Sequence, residues 1–126
     1  MKNPVAFPFT FICFLMTLIL VIEAQNTSYT LTIDYSLAGA YCSISWYDGN
    51  GNEIGEDDPG EDGVCDHNSM GTKQYKFSSG NGYGVQAHVD LSTEDDKWRG
   101  PYTQDCTIRI HGSLDIWKFT PESPCS

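Results

Sequence analysis

The sequence predicts an all-β fold, an antiparallel sandwich of about seven short strands, with a small barrel as the alternative. Three observations carry that reading. Apolar residues recur with period two, no stretch holds a helical stripe, and Gly-, Asn-, Asp- and Pro-rich turns separate the alternating runs.

Tyr29, Leu31, Ile33 and Tyr35 alternate with Thr30, Thr32 and Asp34, the pattern of a half-buried first strand. Leu37-Ala38-Gly39 leads into a second, where Cys42, Ile44 and Trp46 point one way and Ser43 and Ser45 the other. Asp48-Gly49-Asn50-Gly51-Asn52 carries an Asn-Gly pair suited to a tight hairpin and returns the chain into Glu53-Ile54. From Gly55 to Met70 the chain is acidic and Gly-rich and has little to bury. It reads as a long loop anchored at Cys65, since a disulfide can hold a segment that packing cannot.

Alternation resumes at Lys73 to Phe77, and Ser78 to Gly82 is a turn cluster. Tyr83, Val85, Ala87, Val89 and Leu91 form the longest alternating run, with Gln86, His88 and Asp90 on its other face. Ser92 to Gln104 is polar and charged and reads as a second loop. Cys106, Ile108 and Ile110 then alternate with Thr107, Arg109 and His111, and Leu114 to Phe119 supplies a last strand before Pro121 and Pro124.

Ahead of this domain, Lys2, the apolar run from Val5 to Ile22 and the small residue Ala24 have the layout of a secretory signal peptide, placing the mature start at Gln25. The division is therefore 1–24 signal peptide and 25–126 a single disulfide-stabilised domain, secreted and extracellular. Retention of residues 5–22 as an anchor is the alternative, because that run is about the shortest that can span a bilayer. Removing Glu23 and Lys2 with the leader leaves 16 acidic and six basic residues, a charge of −10. Such a surface repels phosphate backbones and anionic headgroups, which disfavours nucleic acid, and leaves membrane association to a retained anchor. A basic partner is compatible with it.

Cys42, Cys65, Cys106 and Cys125 are even in number, which in an exported chain indicates two disulfides with three possible connectivities. No C-x-x-C spacing is present, so redox and zinc-ribbon signatures are missing. The chain also lacks G-x-S-x-G, H-E-x-x-H and G-x-x-x-x-G-K, and the expectation is a protein that is not an enzyme.

The segments Tyr29 to Asp34, Ala40 to Gly49, Tyr83 to Ala87 and Cys106 to Gly112, with the terminal Cys125, resemble the extracytoplasmic domain of the small mycobacterial membrane proteins that accompany lipid exporters. The resemblance implies an immunoglobulin-like sandwich and a Cys106–Cys125 bridge, which leaves Cys42 to pair with Cys65. This chain departs from that family in its cleavable leader, its two additional cysteines, its acidic loop and its lack of a Leu-Pro-Trp segment. The exporter role is not carried over. Pairing Cys42 with Cys106 would mimic the inter-sheet bridge of immunoglobulin domains, but Trp46 lies too near Cys42 for the usual spacing.

Few side chains suggest chemistry. Asp48, Asn50, Asn52, Asp57 and Asp58 offer the hard oxygen ligands calcium prefers, although Glu53 stands where an EF-hand needs Gly and Pro59 where it needs an acid. A hairpin turn followed by a solvated loop explains the same residues, so no cofactor is expected and calcium is the one to test. His67, His88 and His111 are too scattered to define a metal site, and Cys65-Asp66-His67 loses its nucleophile if Cys65 is bonded. Tyr41 and Tyr47 fall opposite the core face of the second strand, and Trp98 and Tyr102 sit in the polar second loop, where aromatics can anchor a protein or carbohydrate partner. Asn26-Thr27-Ser28 is a glycosylation sequon.

The leading expectation is a secreted, non-enzymatic binding or interaction module, effector-like or surface-associated. A membrane-tethered accessory domain of a transport or envelope complex and a calcium-dependent binding module are the alternatives.

Overall fold

The computed structural model describes residues 26–58 and 64–126. The leader 1–24, its cleavage point, the candidate anchor 5–22 and residues 59–63 of the acidic loop lie outside the described residues. Eight strands run in chain order: β1 (Asn26–Ala38), β2 (Cys42–Asp48), β3 (Glu53–Asp57), β4 (Thr72–Gly80), β5 (Tyr83–Val89), β6 (Lys97–Tyr102), β7 (Cys106–Ser113) and β8 (Ile116–Pro121). They form two four-stranded sheets, ordered β4-β1-β7-β8 and β3-β2-β5-β6. The sheets are open at their edges, so the fold is a sandwich and not a barrel. Among the described residues no helix is long and apolar enough to cross a membrane.

Period-two patterning sets what each sheet buries. Tyr29, Leu31, Ile33, Tyr35 and Leu37 of β1 face inward with Ile108 and Ile110 of β7 and Trp117 and Phe119 of β8. Cys42, Ile44 and Trp46 of β2 and Tyr83, Val85, Ala87 and Val89 of β5 meet them from the other sheet. All pairings are antiparallel except β1 with β7, which run parallel from Leu31↔Cys106 to Ala38↔Ser113. The β4–β5 hairpin turns on Asn81 and Gly82, both at positive φ (61° and 79°), which matches the twist of the strands it joins.

Two departures from the sequence reading share one cause. Residues 97–102, expected as loop, form β6, and β3 continues through Asp57 into the segment expected as an acidic loop. In β3 the inward positions are Gly55 and Asp57, and in β6 the first two are Lys97 and Arg99, with Tyr102 the one aromatic. Lys97 and Arg99 of β6 reach across the open side of the sandwich, where Lys97 Nζ donates to the Trp117 carbonyl (2.7 Å) and Arg99 Nε to that of Phe119 (2.7 Å). Glu94 adds a carboxylate oxygen for the Trp117 N–H (3.1 Å). Side chains thus cap the Trp117 N–H and the Trp117 and Phe119 carbonyls on the free edge of β8, which would otherwise be open to pairing with another strand. In β3, Gly55 lies against the Trp46 indole, and the Asp57 carboxylate accepts from Tyr75 Oη, itself bonded to Tyr35 Oη (2.8 Å). Trp46 stacks near Tyr75 and Phe77 at 4.7 and 5.9 Å and closes that side.

The disulfides are Cys42–Cys65 and Cys106–Cys125. Cys65 is fully buried, and its backbone also binds Ala40 O (2.8 Å) and Leu37 N (2.9 Å). The segment after the acidic loop is therefore tied to the β1–β2 corner by covalent and backbone bonds together.

Candidate functional site

The outer face of the β3-β2-β5-β6 sheet concentrates what could recognise a partner. Ser43, Ser45 and Tyr47 of β2 alternate outward, Gly84, Gln86 and His88 of β5 lie beside them, and Trp98 of β6 pairs with Gln86. Each is set by the strand period, since Ile44, Trp46, Val85 and Ala87 occupy the inward positions. Gly84 decides the arrangement. A Cβ there would come within 2.1 Å of Trp98 Cζ2, so the missing side chain is the seat for the six-membered ring. Trp98 remains 47% exposed and lies 5.2 Å from the Tyr47 ring, the two planes at 50°.

A row of hydrogen bonds runs alongside the rings. Tyr47 Oη donates to Gln86 Oε1 (3.0 Å), and Gln86 Nε2 donates to Asp96 Oδ2 (3.3 Å). The other oxygen of Asp96 is 2.6 Å from His88 Nδ1, and His88 Nε2 is 3.1 Å from Asp90 Oδ1. With a carboxylate at each ring nitrogen the imidazolium is favoured. The His88 pKa is raised, first by the Asp96 hydrogen bond and then, against desolvation, by the charges of Asp96 and Asp90. Lys and Arg are absent from this face among the described residues. Lys97 and Arg99 point to β8, Lys73 lies 3.8 Å from Asp57, and Lys76, Arg109 and Lys118 lie on the outward side of the other sheet. Glu56, opposite Ser45, adds a further carboxylate.

Of the four aromatic candidates, the structure brings together Tyr47 and Trp98. Tyr102, at the end of β6, packs 5.7 Å from the ring of core Tyr83. Tyr41 belongs to one end of the sandwich, where its carbonyl accepts from Asp90 N (2.9 Å) beside Leu91, which is 91% exposed at a φ of 62°. Gly84, Gln86, His88, Asp90 and Asp96 were not singled out as partner-binding residues from sequence. A glycine two positions from a glutamine in the most regular strand carries no signal until the facing residue is known.

The calcium candidates are not gathered into one site. Asp48 Oδ1 accepts from the backbone of Asn50 (2.9 Å) and Asn52 (3.0 Å), and its other oxygen accepts from Asn52 Nδ2 (3.3 Å). Those bonds, led by the Asn52 backbone, hold its pKa below the usual carboxylate range. Asp57 stands at the far end of β3, roughly 13 Å along the strand from Glu53, with Tyr75 and Lys73. Among the described residues no group of three or more His, Cys, Asp or Glu side chains could hold a metal ion. Of the histidines, His67 is exposed, and His111 meets Thr120 Oγ1 (3.0 Å) on the outer face of the other sheet. Cys65 is bonded and offers no nucleophile. Asn26 is exposed at the start of β1, paired with Gly80.

No protein-family model matches the chain, and no curated protein matches it. Among solved structures it is similar to pneumolysin (18% identity, TM-score 0.42, covering 79% of this chain and 24% of that one). It is also similar to listeriolysin O (24% identity, TM-score 0.38, 76% and 22%) and to intermedilysin solved with human CD59 (16% identity, TM-score 0.39, 76% and 24%). The chain spans about a quarter of the length of the proteins it matches.

Proposed function

We propose that this protein is an exported, non-enzymatic binding module that engages a protein or carbohydrate partner through the outer face of the β3-β2-β5-β6 sheet. The observation that carries the reading is Trp98, a half-exposed indole seated on Gly84, where the β5–β6 register shifts between Tyr83 and Val85, beside Tyr47 and a hydrogen-bonded polar row. Leaving a large aromatic half in water forgoes part of its burial energy, and exposed aromatics held rigidly are what binding surfaces use as anchors. Export is supported by the leader pattern of residues 1–24 and by two disulfides, which persist in oxidising compartments. A non-enzymatic role is supported by the bonded state of Cys42, Cys65, Cys106 and Cys125, which leaves no free thiol nucleophile among the described residues.

The test is parallel capture from culture fluid and surface extracts with the secreted protein and its Trp98→Ala and Tyr47→Ala variants. Partners retained by the wild type and lost by both variants are expected. Identical recovery by all three would refute the assignment of this face. N-terminal sequencing of the exported protein should begin at Gln25, and a chain still beginning at Met1 would support the membrane-tethered accessory role instead.

A further inference from the structure

The charge and hydrogen-bonding capacity of this face narrow the chemistry of its occupant. We infer that the outer face of the β3-β2-β5-β6 sheet docks an extended, arginine-rich segment of a basic protein, one guanidinium stacking on Trp98 over Gly84 and neighbouring ones along β5 donating to the Asp96 and Asp90 carboxylates; this rests on the reading of that face as the binding surface.

The face carries Glu56, Asp90 and Asp96 against the one imidazole of His88, and every Lys and Arg among the described residues is directed elsewhere. Anionic ligands such as phosphate, sulfate or uronate find one cation there, the His88 imidazolium, and both of its N–H groups are already held by Asp96 and Asp90. The Gln86 carbonyl and amide are both engaged within the face, and the Tyr47 hydroxyl spends its proton on Gln86, so the outward charged groups are carboxylates, which only accept. Arginine matches that set, because its guanidinium has five N–H donors and no acceptor. A sugar hydroxyl needs both, and the uncharged donors left for it on this face are the small hydroxyls of Ser43 and Ser45. The Tyr47 and Trp98 rings are tilted by 50°, which leaves one exposed indole and not a coplanar pair for successive sugar rings. Arginine is preferred over lysine, since its planar and weakly hydrated cation stacks on an indole while still donating in its own plane.

Trp98 also reports on the event, because Trp46 and Trp117 are 8% and 1% exposed and sheltered from a bound peptide. The experiment titrates the secreted, oxidised protein with hexaarginine, hexalysine, hexaglutamate and a glucosamine hexamer, following tryptophan fluorescence and calorimetry. Hexaarginine should quench saturably and bind several-fold tighter than hexalysine. Trp98→Ala should weaken it roughly tenfold, and Asp96→Asn, which keeps the indole, should weaken it and reduce the salt dependence. Hexaglutamate should not bind. Equal binding of hexaarginine by wild type and Trp98→Ala, or equal binding of the arginine and lysine peptides, would overturn the inference by reducing it to bulk charge attraction. Loss of glucosamine-hexamer binding in Trp98→Ala without any hexaarginine binding would overturn it while leaving the face as a glycan site. Insensitivity of every probe to Trp98→Ala would remove both readings.

Discussion

Gly55 and Gly84 each lie against an indole, so one added methyl group at either position asks how firmly that ring is held. At Gly84 a Cβ would meet Trp98 Cζ2, Cη2 and Cε2 at 2.1, 2.6 and 2.9 Å, and at Gly55 it would meet Trp46 Cε2, Cζ2 and Nε1 at 2.3, 2.4 and 2.5 Å. Both glycines have ordinary backbone angles, so alanine is sterically barred by the ring alone. Trp98 can lift. With 47% exposure, roughly 130 Å² of a side chain of about 250 Å² is covered, worth about 3 kcal/mol at ~25 cal/mol per Å². Shedding about half of that costs ~1.5 kcal/mol, offset by the ~0.5–1 kcal/mol that alanine gains over glycine within a strand. Gly84→Ala should therefore destabilise by about 0.5–1 kcal/mol. Trp46 has no such escape, being 8% exposed between Tyr75 and Phe77. Gly55→Ala should cost about 3 kcal/mol, the upper part of the overpacking range, or expel the short edge strand β3. Urea unfolding gives the two costs, and acrylamide quenching gives the exposure of Trp98. Equal costs at the two sites, or a stabilised Gly84→Ala protein with unchanged quenching, would refute the seating of Trp98 on Gly84.

Cys42 and Cys65 are 23 residues apart, and the denatured-state entropy removed by closing such a loop is worth about 3.4 kcal/mol. The Cys42→Ala, Cys65→Ala double variant should lose stability of that order in chemical denaturation, and a loss below ~1 kcal/mol would contradict the anchoring role. Arg99→Met keeps a side chain against Phe119 but removes the charged donor from its carbonyl. After discounting for the partial exposure of Arg99, about 1 kcal/mol should be lost, and size-exclusion chromatography should show concentration-dependent association through the bared β8 edge. His88 has its pKa raised in the folded state. Its contribution is present in full below the unfolded value of about 6.5 and disappears as pH rises through the folded value. The stability difference between wild type and His88→Gln should therefore grow on acidification from weakly alkaline to weakly acidic pH, and Asp96→Asn should shrink it. A difference that is flat across this window would sink the assignment.

The core was legible because its strands obey one rule. Wherever a strand alternates apolar with polar residues, as in β1, β2, β5 and β7, period two alone places the apolar set inward, and the burial of Leu31, Ile33, Ile44, Val85, Ile108 and Ile110 follows. The rule fails at β6 because its inward residues are Lys97 and Arg99. Their cationic heads lie over Trp117 and Phe119, with Lys97 Nζ 4.7 Å and Arg99 Cζ 6.0 Å from the ring centroids, and donate to the β8 carbonyls. A strand whose cations face the core edge and whose tryptophan faces water has its pattern inverted, and one-dimensional reading turns it into a loop. β3 fails for the same reason, since Gly55 and Asp57 face inward where apolar residues would be expected.

That inversion also explains why the candidate face was only half visible. Tyr47 and Trp98 could be named as exposed aromatics, but the distance between them is set by β5 standing between β2 and β6, and by a glycine at the one β5 position that would otherwise hold the rings apart. The same inversion removes two cations from the face and spends them on the β8 edge. What remains outside is an indole with carboxylates, on a sheet whose six nearest basic residues are turned toward the interior edge or the opposite sheet. The acidity of the chain as a whole is thus no guide to where it acts. The specificity of the face comes from where the few cations were placed, and moving one back should cancel it. Ser45→Lys puts an ammonium beside Gln86, across from Trp98, and should abolish hexaarginine binding while changing stability by less than ~0.5 kcal/mol, as for a surface substitution. Binding that survives Ser45→Lys would show that charge on this face does not govern recognition.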